Sequence, residues 1–142
     1  MRPVRLEMNG FASFRGETTV DFDRADYFAL VGPTGSGKST VIDAMVFALF
    51  GSAPRWGRTN AVQYALAPTT ARATVRLVFD VGSERYRVAR EVRRTGRTIQ
   101  QKMATLERLD DPASLSATTD QVEVLASEVR DVTPEVEKLL GL

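Results

Sequence analysis

The sequence predicts an α/β fold, on three observations. Gly32-Pro33-Thr34-Gly35-Ser36-Gly37-Lys38-Ser39-Thr40 fits the spacing G-x-x-x-x-G-K-[ST], with Gly32, Gly37, Lys38 and Ser39 on the fixed positions. This stretch stands between an apolar run, Tyr27 to Val31, and a segment from Ser39 to Phe50 that is apolar almost all round. Further on, from Ala73 to Val92, apolar and charged residues alternate in the period of an antiparallel hairpin. Strand, glycine-rich loop and helix, in that order, is the context in which such a spacing carries chemistry.

Each residue type in the loop has a task. Gly35 and Gly37 let the backbone turn tightly with its N–H groups inward, where a side chain would block a phosphate. Lys38 brings a point charge to the β- and γ-phosphates, and the Ser39 hydroxyl is placed to ligate Mg²⁺. The helix that starts here adds the positive end of its dipole. Gly32 to Thr40 is therefore expected to hold the phosphate tail of ATP as its magnesium complex.

The other elements follow from pattern. Val4, Leu6 and Met8 alternate with Arg5 and Glu7, so a half-buried strand opens the chain. Asn9-Gly10 is expected to break it, Phe11 to Phe14 to cross over, and Thr18 to Phe22 to form a second strand. Asp23 to Asp26 reads as a polar turn into the apolar run. Gly51 is expected to stop the helix, and Ser52 to Arg58 is a loop of turn formers and basic residues. Asn60 to Ala67 is a candidate short helix before Pro68. Ala73, Val75, Leu77, Phe79 and Val81 mark one strand, Gly82-Ser83 a turn, and Tyr86, Val88 and Val92 the returning strand. Thr95-Gly96 turns toward a third strand ending near Leu109. A polar connection from Asp110 to Thr119 then leads to a short strand, Val122 to Leu125. Ser127 or Thr133 is expected to cap a closing helix, with Pro134 in its first turn and Val136, Leu139 and Leu140 on its apolar side.

Composition narrows the class. The 142 residues suit one domain or one lobe, and 43% apolar content suffices for a core. Without cysteine there is no disulfide, zinc ribbon or thiol nucleophile. No apolar run reaches membrane-spanning length, and no signal-peptide core follows Met1 to Arg5, so a cytoplasmic protein with no membrane partner is expected.

The net charge of +1 conceals an asymmetry: Arg85 to Lys102 holds seven basic residues and one acid, Glu91. Arg72 and Arg76 share a parity on the first hairpin strand, and Arg85 and Arg87 point away from Tyr86 and Val88 on the second. That face has two readings, contact with double-stranded DNA phosphates or a solvated face paired locally to Glu84 and Glu91. Arg90 has the parity of Tyr86 and Val88; it either braces the core or reaches toward the nucleotide. Asp43 reads as a structural hydrogen-bonding residue ahead of a magnesium neighbour. Asp80 reads as a hairpin residue rather than a Walker B acid, because Val81-Gly82 follows where a catalytic Glu would stand. Trp56 either stacks on a base or sugar or covers the helix end.

With these residues in view, the chain resembles the N-terminal ATPase lobe of the SbcC family, a nuclease-associated branch of the SMC-like ABC ATPases. The likeness lies in the opening strand, Phe11-x-Ser13-Phe14, Val20-Asp21-Phe22, the glycine-rich loop and Ile42-Asp43-Ala44. It continues through Ala48-Leu49-Phe50-Gly51-x-x-Pro54-Arg55, Tyr86-x-Val88-x-Arg90 and Val136-Glu137-x-Leu139-Leu140-Gly141-Leu142, nearly the whole chain.

The resemblance implies a P-loop NTPase, an ABC-ATPase-like N-terminal lobe with an added antiparallel β-meander, spanning residues 1–142 of a split head. It implies that the C-terminal lobe, coiled coil, Q-loop glutamine, signature motif and Walker B acids all lie outside this chain. Two heads would then form a homodimer around ATP, with an SbcD-like nuclease partner acting on double-stranded DNA in the nucleoid-associated cytoplasm. ATP hydrolysis is implied for the intact protein, with no catalytic residue in this chain. By the same analogy Ser13 lies near the nucleotide. SMC relatives often carry a basic residue where Ala12 stands, so Ala12 is assigned no phosphate contact. Two other readings are a complete small P-loop nucleotide kinase or phosphotransferase, and a non-hydrolysing nucleotide-dependent DNA-binding module. A kinase would show acceptor-site arginines and a lid, and would turn over alone.

Overall fold

A computed structural model of the chain describes residues 1–22, 38–53, 56, 61–110 and 122–142. Among the described residues, period-two alternation yields six strands: β1 (Arg2–Phe11), β2 (Phe14–Asp21), β3 (Arg72–Val81), β4 (Glu84–Thr95), β5 (Thr98–Leu109) and β6 (Val122–Ala126). They form one sheet in the order β2-β1-β3-β4-β5-β6, and every neighbouring pair is antiparallel. Among the described residues two α-helices, α1 (Lys38–Phe50) and α2 (Val129–Leu140), and a 3-10 turn (Ala61–Ala65) complete the lobe. The described elements are of mixed α/β class, with an antiparallel meander. No helix among the described residues is long and apolar enough to cross a membrane.

Both helices belong to one core. Leu6 and Met8 of β1, Val75, Leu77 and Phe79 of β3, and Val88 of β4 form its sheet side. Val41, Ala44 and Phe47 of α1 and Val132 and Val136 of α2 close over them. Burying an aliphatic or Phe side chain of this kind contributes about 1.5–3 kcal/mol, so this face outweighs any single polar contact in the lobe. Register follows the parity of the sequence: Leu77 pairs with Val88, Phe79 with Tyr86, and Val75 with Arg90. The opposite parity puts Arg72, Arg76, Asp80, Arg85 and Arg87 on the outer face.

Two expectations are corrected. Asn9-Gly10 does not end β1, which runs on to Phe11 through a register shift between Asn9 and Phe11. Gly10 there has φ +66, and a Cβ on it would run into the Arg72 carbonyl oxygen, so only glycine lets the strand bulge and continue. Neither Ser127 nor Thr133 caps α2. Glu128 is its N-cap, without a side-chain cap bond, and the Asp131 and Val132 N–H groups reach the Glu128 carbonyl at 3.0 and 3.2 Å. Thr133 and Pro134 therefore sit inside the helix, beyond its first turn, because packing of Val132 extends the helix one turn further toward its N-terminus. The expected strand from Tyr27 to Val31, the loop from Gly32 to Gly37, and the connection over 111–121 lie outside the described residues.

Candidate functional site

The glycine-rich stretch runs straight into α1. That helix begins at Lys38, Ser39 is exposed on its first turn, and Thr40 is half-buried. The Lys38 side chain, like residues 32–37, lies outside the described residues. A helix start on a glycine-rich approach presents free N–H groups and the positive dipole end in one place. A magnesium ion held on a nucleotide takes few protein ligands besides phosphate oxygens and water, and one exposed Ser39 hydroxyl fits that donor set. Among the described residues no group of three or more acidic, His or Cys side chains could hold a metal without a nucleotide.

Ser13 reaches this turn from the sheet. Its hydroxyl lies 3.2 Å from the Thr40 hydroxyl. The approach depends on Ala12, which has φ 49, a left-handed conformation costing an L-residue roughly 1–2 kcal/mol. Backbone bonds hold it there. The Ala12 N–H donates to the Ala65 carbonyl at 2.9 Å, and the Ala67 N–H donates to the Gly10 carbonyl at 2.8 Å. A groove of about 750 Å³ opens beside Ser13, walled by Tyr64, Leu66, Pro68 and Ile99 with Arg94 at its margin.

Three positions read ambiguously in sequence now have addresses. Trp56 packs over the last turns of α1, its ring 5.6 Å from Phe47, 5.9 Å from Phe11 and 6.5 Å from Tyr64. Asp43 is buried on α1, 8% exposed. Asp80 faces the β3–β4 turn, where Arg85 donates to it at 2.8 and 3.1 Å and Arg2 at 2.7 Å. Its hydrogen bond with Arg85, followed by that with Arg2, holds the carboxyl below its usual value against the opposing effect of burial.

Arg90 braces the core. Its side chain is 1% exposed and its guanidinium spans the C-terminal end of α1. Nε donates to the Ala48 carbonyl at 2.7 Å, and Nη2 to the Leu49 carbonyl and the Thr133 hydroxyl, both at 3.0 Å. Nη1 donates to Gln101 Oε1 at 2.6 Å. Burial draws its pKa down to about 10, so it stays charged at neutral pH. Gln101 and Thr133 are not readable from sequence as its partners, since they lie 11 and 43 residues away with no local pattern pointing at it.

The outer-face arginines stand on one side of the sheet, each against an acid. Arg72 bridges to Glu91, Arg76 to Glu7 at 3.8 Å, and Arg87 to Glu107 at 2.5 Å. The acids are shared, Glu91 with Arg93 at 3.3 Å and Glu7 with Arg5 at 3.2 Å. Exposure divides them: the Arg72 and Arg76 side chains are 60% and 48% exposed, those of Arg85 and Arg87 10% and 13%.

Comparison with known proteins bears on this geometry. A family model described as an AAA domain matches residues 5–131. The SbcC component of the nuclease SbcCD from Deinococcus radiodurans is 35% identical over 142 residues, all of this chain and 14% of that protein. A "Probable DNA double-strand break repair Rad50 ATPase" of Aquifex aeolicus is 38% identical over 93 residues, 66% of this chain and 10% of that protein. A solved structure, "SMC head domain from Thermotoga maritima", aligns with 81% of this chain and 40% of its own, at 30% identity and a TM-score of 0.44. The chain thus spans about a seventh of the curated relative matched along its whole length. The chain belongs to the AAA-domain family and is similar along its whole length to an SbcC-type nuclease subunit.

Proposed function

We propose that this chain binds ATP·Mg²⁺ and forms the N-terminal half of a DNA-repair ATPase that regulates a partner nuclease. The observation that carries the reading is the start of α1 at Lys38, where the loop spacing of Gly32 to Ser39 meets a helix N-terminus. Thr34 to Gly37 supply backbone N–H groups, Lys38 a charge on the terminal phosphates, and Ser39 a hydroxyl on magnesium. Ser13, brought to Thr40 by the strained turn at Ala12, borders the same site. The adjoining groove offers an apolar wall to the nucleoside.

Partners follow from the relatives' names and from what the lobe exposes. The Deinococcus relative is named as part of a nuclease, which supports an SbcD-like partner. Ile42, 45% exposed on α1 near Ser39, supports a C-terminal lobe and a second head closing over the nucleotide. On the outer face Arg72 and Arg76, with Arg85 and Arg87 behind them, are proposed to meet DNA phosphates without reading sequence.

Calorimetry with Lys38→Ala tests the central reading. A charged hydrogen bond to phosphate contributes about 1.5–3 kcal/mol, so the variant is expected to lose roughly ten- to a hundredfold in ATP affinity. Equal affinity in the two proteins overturns it.

A further inference from the structure

The last four carbonyls of an α-helix have no partner within the helix, and in α1 every one of them is met. The Gly51 N–H donates to Phe47 at 2.7 Å, continuing the helical ladder. Arg90 takes the next two, Ala48 and Leu49. The Thr133 hydroxyl donates to the carbonyl of Phe50 at 3.1 Å. That same hydroxyl accepts from Arg90 Nη2, so β4, α1 and the second turn of α2 meet in one bonded unit.

The unit is closed and charged. Gly51 has φ +78, and a Cβ there would lie 3.1 Å from Arg90 Nη1, close enough to push the guanidinium aside. A buried cation at the C-terminal end of α1 complements the helix dipole, just as an anion does at the other end. The helix between them has 13 residues, about 20 Å, without a proline or glycine at which to bend. A shift of its N-terminus would therefore be carried to the carbonyls held by Arg90 and Thr133.

The geometry points to Arg90 and Thr133 as positioning residues that couple nucleotide occupancy of the loop to the packing of α2. Thr133 is the joint, because it is donor to α1 and acceptor from Arg90 at once. This rests on the nucleotide reading of the loop and adds where the binding signal goes.

Amide exchange of α2 is followed in the chain with and without ATP·Mg²⁺, with binding measured separately by calorimetry. ATP is expected to slow exchange across 129–140 in the wild type by about fivefold or more, the usual range for linked sites. Thr133→Ser, which keeps the hydroxyl, retains that slowing. Thr133→Val abolishes it while remaining folded, and by reciprocity loses ATP affinity by a similar factor. If Thr133→Val does not fold, Arg90→Lys serves instead, since it keeps the charge but not the fork reaching Thr133, and the same loss is expected. A filler role for Thr133 would change baseline exchange and leave the ATP-linked difference intact, and that result overturns the coupling. So does a wild type that binds ATP with α2 exchange unchanged. A wild type that binds no ATP overturns the nucleotide reading itself, and the coupling with it.

Discussion

Arg85 clasps Asp80 across the β3–β4 turn with two donors, Nε at 2.8 Å from Oδ1 and Nη2 at 3.1 Å from Oδ2. The pair joins residues on neighbouring strands directly opposite one another, and Arg2 of β1 completes it from the other side. A carboxylate held between two guanidinium groups is a stabilising element that acid removes.

Asp80 has a folded pKa below the unfolded value of 3.8. Its contribution is therefore full above pH 3.8 and lost as pH falls through the folded pKa. Asp80→Asn is expected to lower the thermal midpoint at neutral pH and to flatten its decline as pH falls below 3.8. Thermal melts across that range check it; parallel curves for both proteins would assign the acid transition elsewhere.

The exposed pair Arg72 and Arg76 should account for most of the salt dependence of DNA binding, because the Arg85 and Arg87 side chains are themselves 10% and 13% exposed, against Asp80 and Glu107. Each phosphate contact contributes about −0.9 to the slope of log K against log salt, so two contacts give a slope of about −1.8. Replacing both by Glu is expected to remove that slope without unfolding the chain. A filter-binding titration that leaves it unchanged returns the outer face to a solvated surface.

Gly10 and Gly82 share a positive φ, +66 and +61, but differ in surroundings. An Ala at Gly82 meets nothing within 4 Å and bears only the left-handed cost, about 1–2 kcal/mol. At Gly10 the added methyl also meets the Arg72 carbonyl, and the expected loss is larger, on the order of 3 kcal/mol. Denaturant midpoints of Gly10→Ala and Gly82→Ala measure the difference. Equal losses would mean that β1 shifts away from β3 freely.

Hydrolysis is expected to need more than this chain. It requires a second magnesium ligand, an activated water and donors for charge developing on the γ-phosphate. Among the described residues no acidic cluster meets that need, and Asp80 is engaged by Arg85 and Arg2. Residues 1–142 alone should bind ATP and release no phosphate above background, with turnover restored by a C-terminal lobe. Magnesium-dependent release by this chain alone, abolished in Lys38→Ala, would place the catalytic acid inside it.

By itself the sequence determined the faces of the β3–β4 hairpin and the spacing of the glycine-rich loop. Val75, Leu77 and Phe79 alternate with Arg72, Arg76 and Asp80, and a pleated strand sends the two sets to opposite faces whatever surrounds it. Gly51 marks the end of α1 because left-handed φ at a helix terminus favours glycine. Only the tertiary structure decided what each face meets. Parity places Arg90 toward the core, but its acceptors come from residues 11 to 43 positions away, joined by packing and not by local pattern. Thr133 reads as a cap because Thr-Pro starts many helices. Burial of Val132 extends α2 a turn toward its N-terminus and frees the hydroxyl to bridge α1 and Arg90. The pairing of Arg87 with Glu107 and Arg76 with Glu7 likewise depends on strand order, which period-two alternation does not encode.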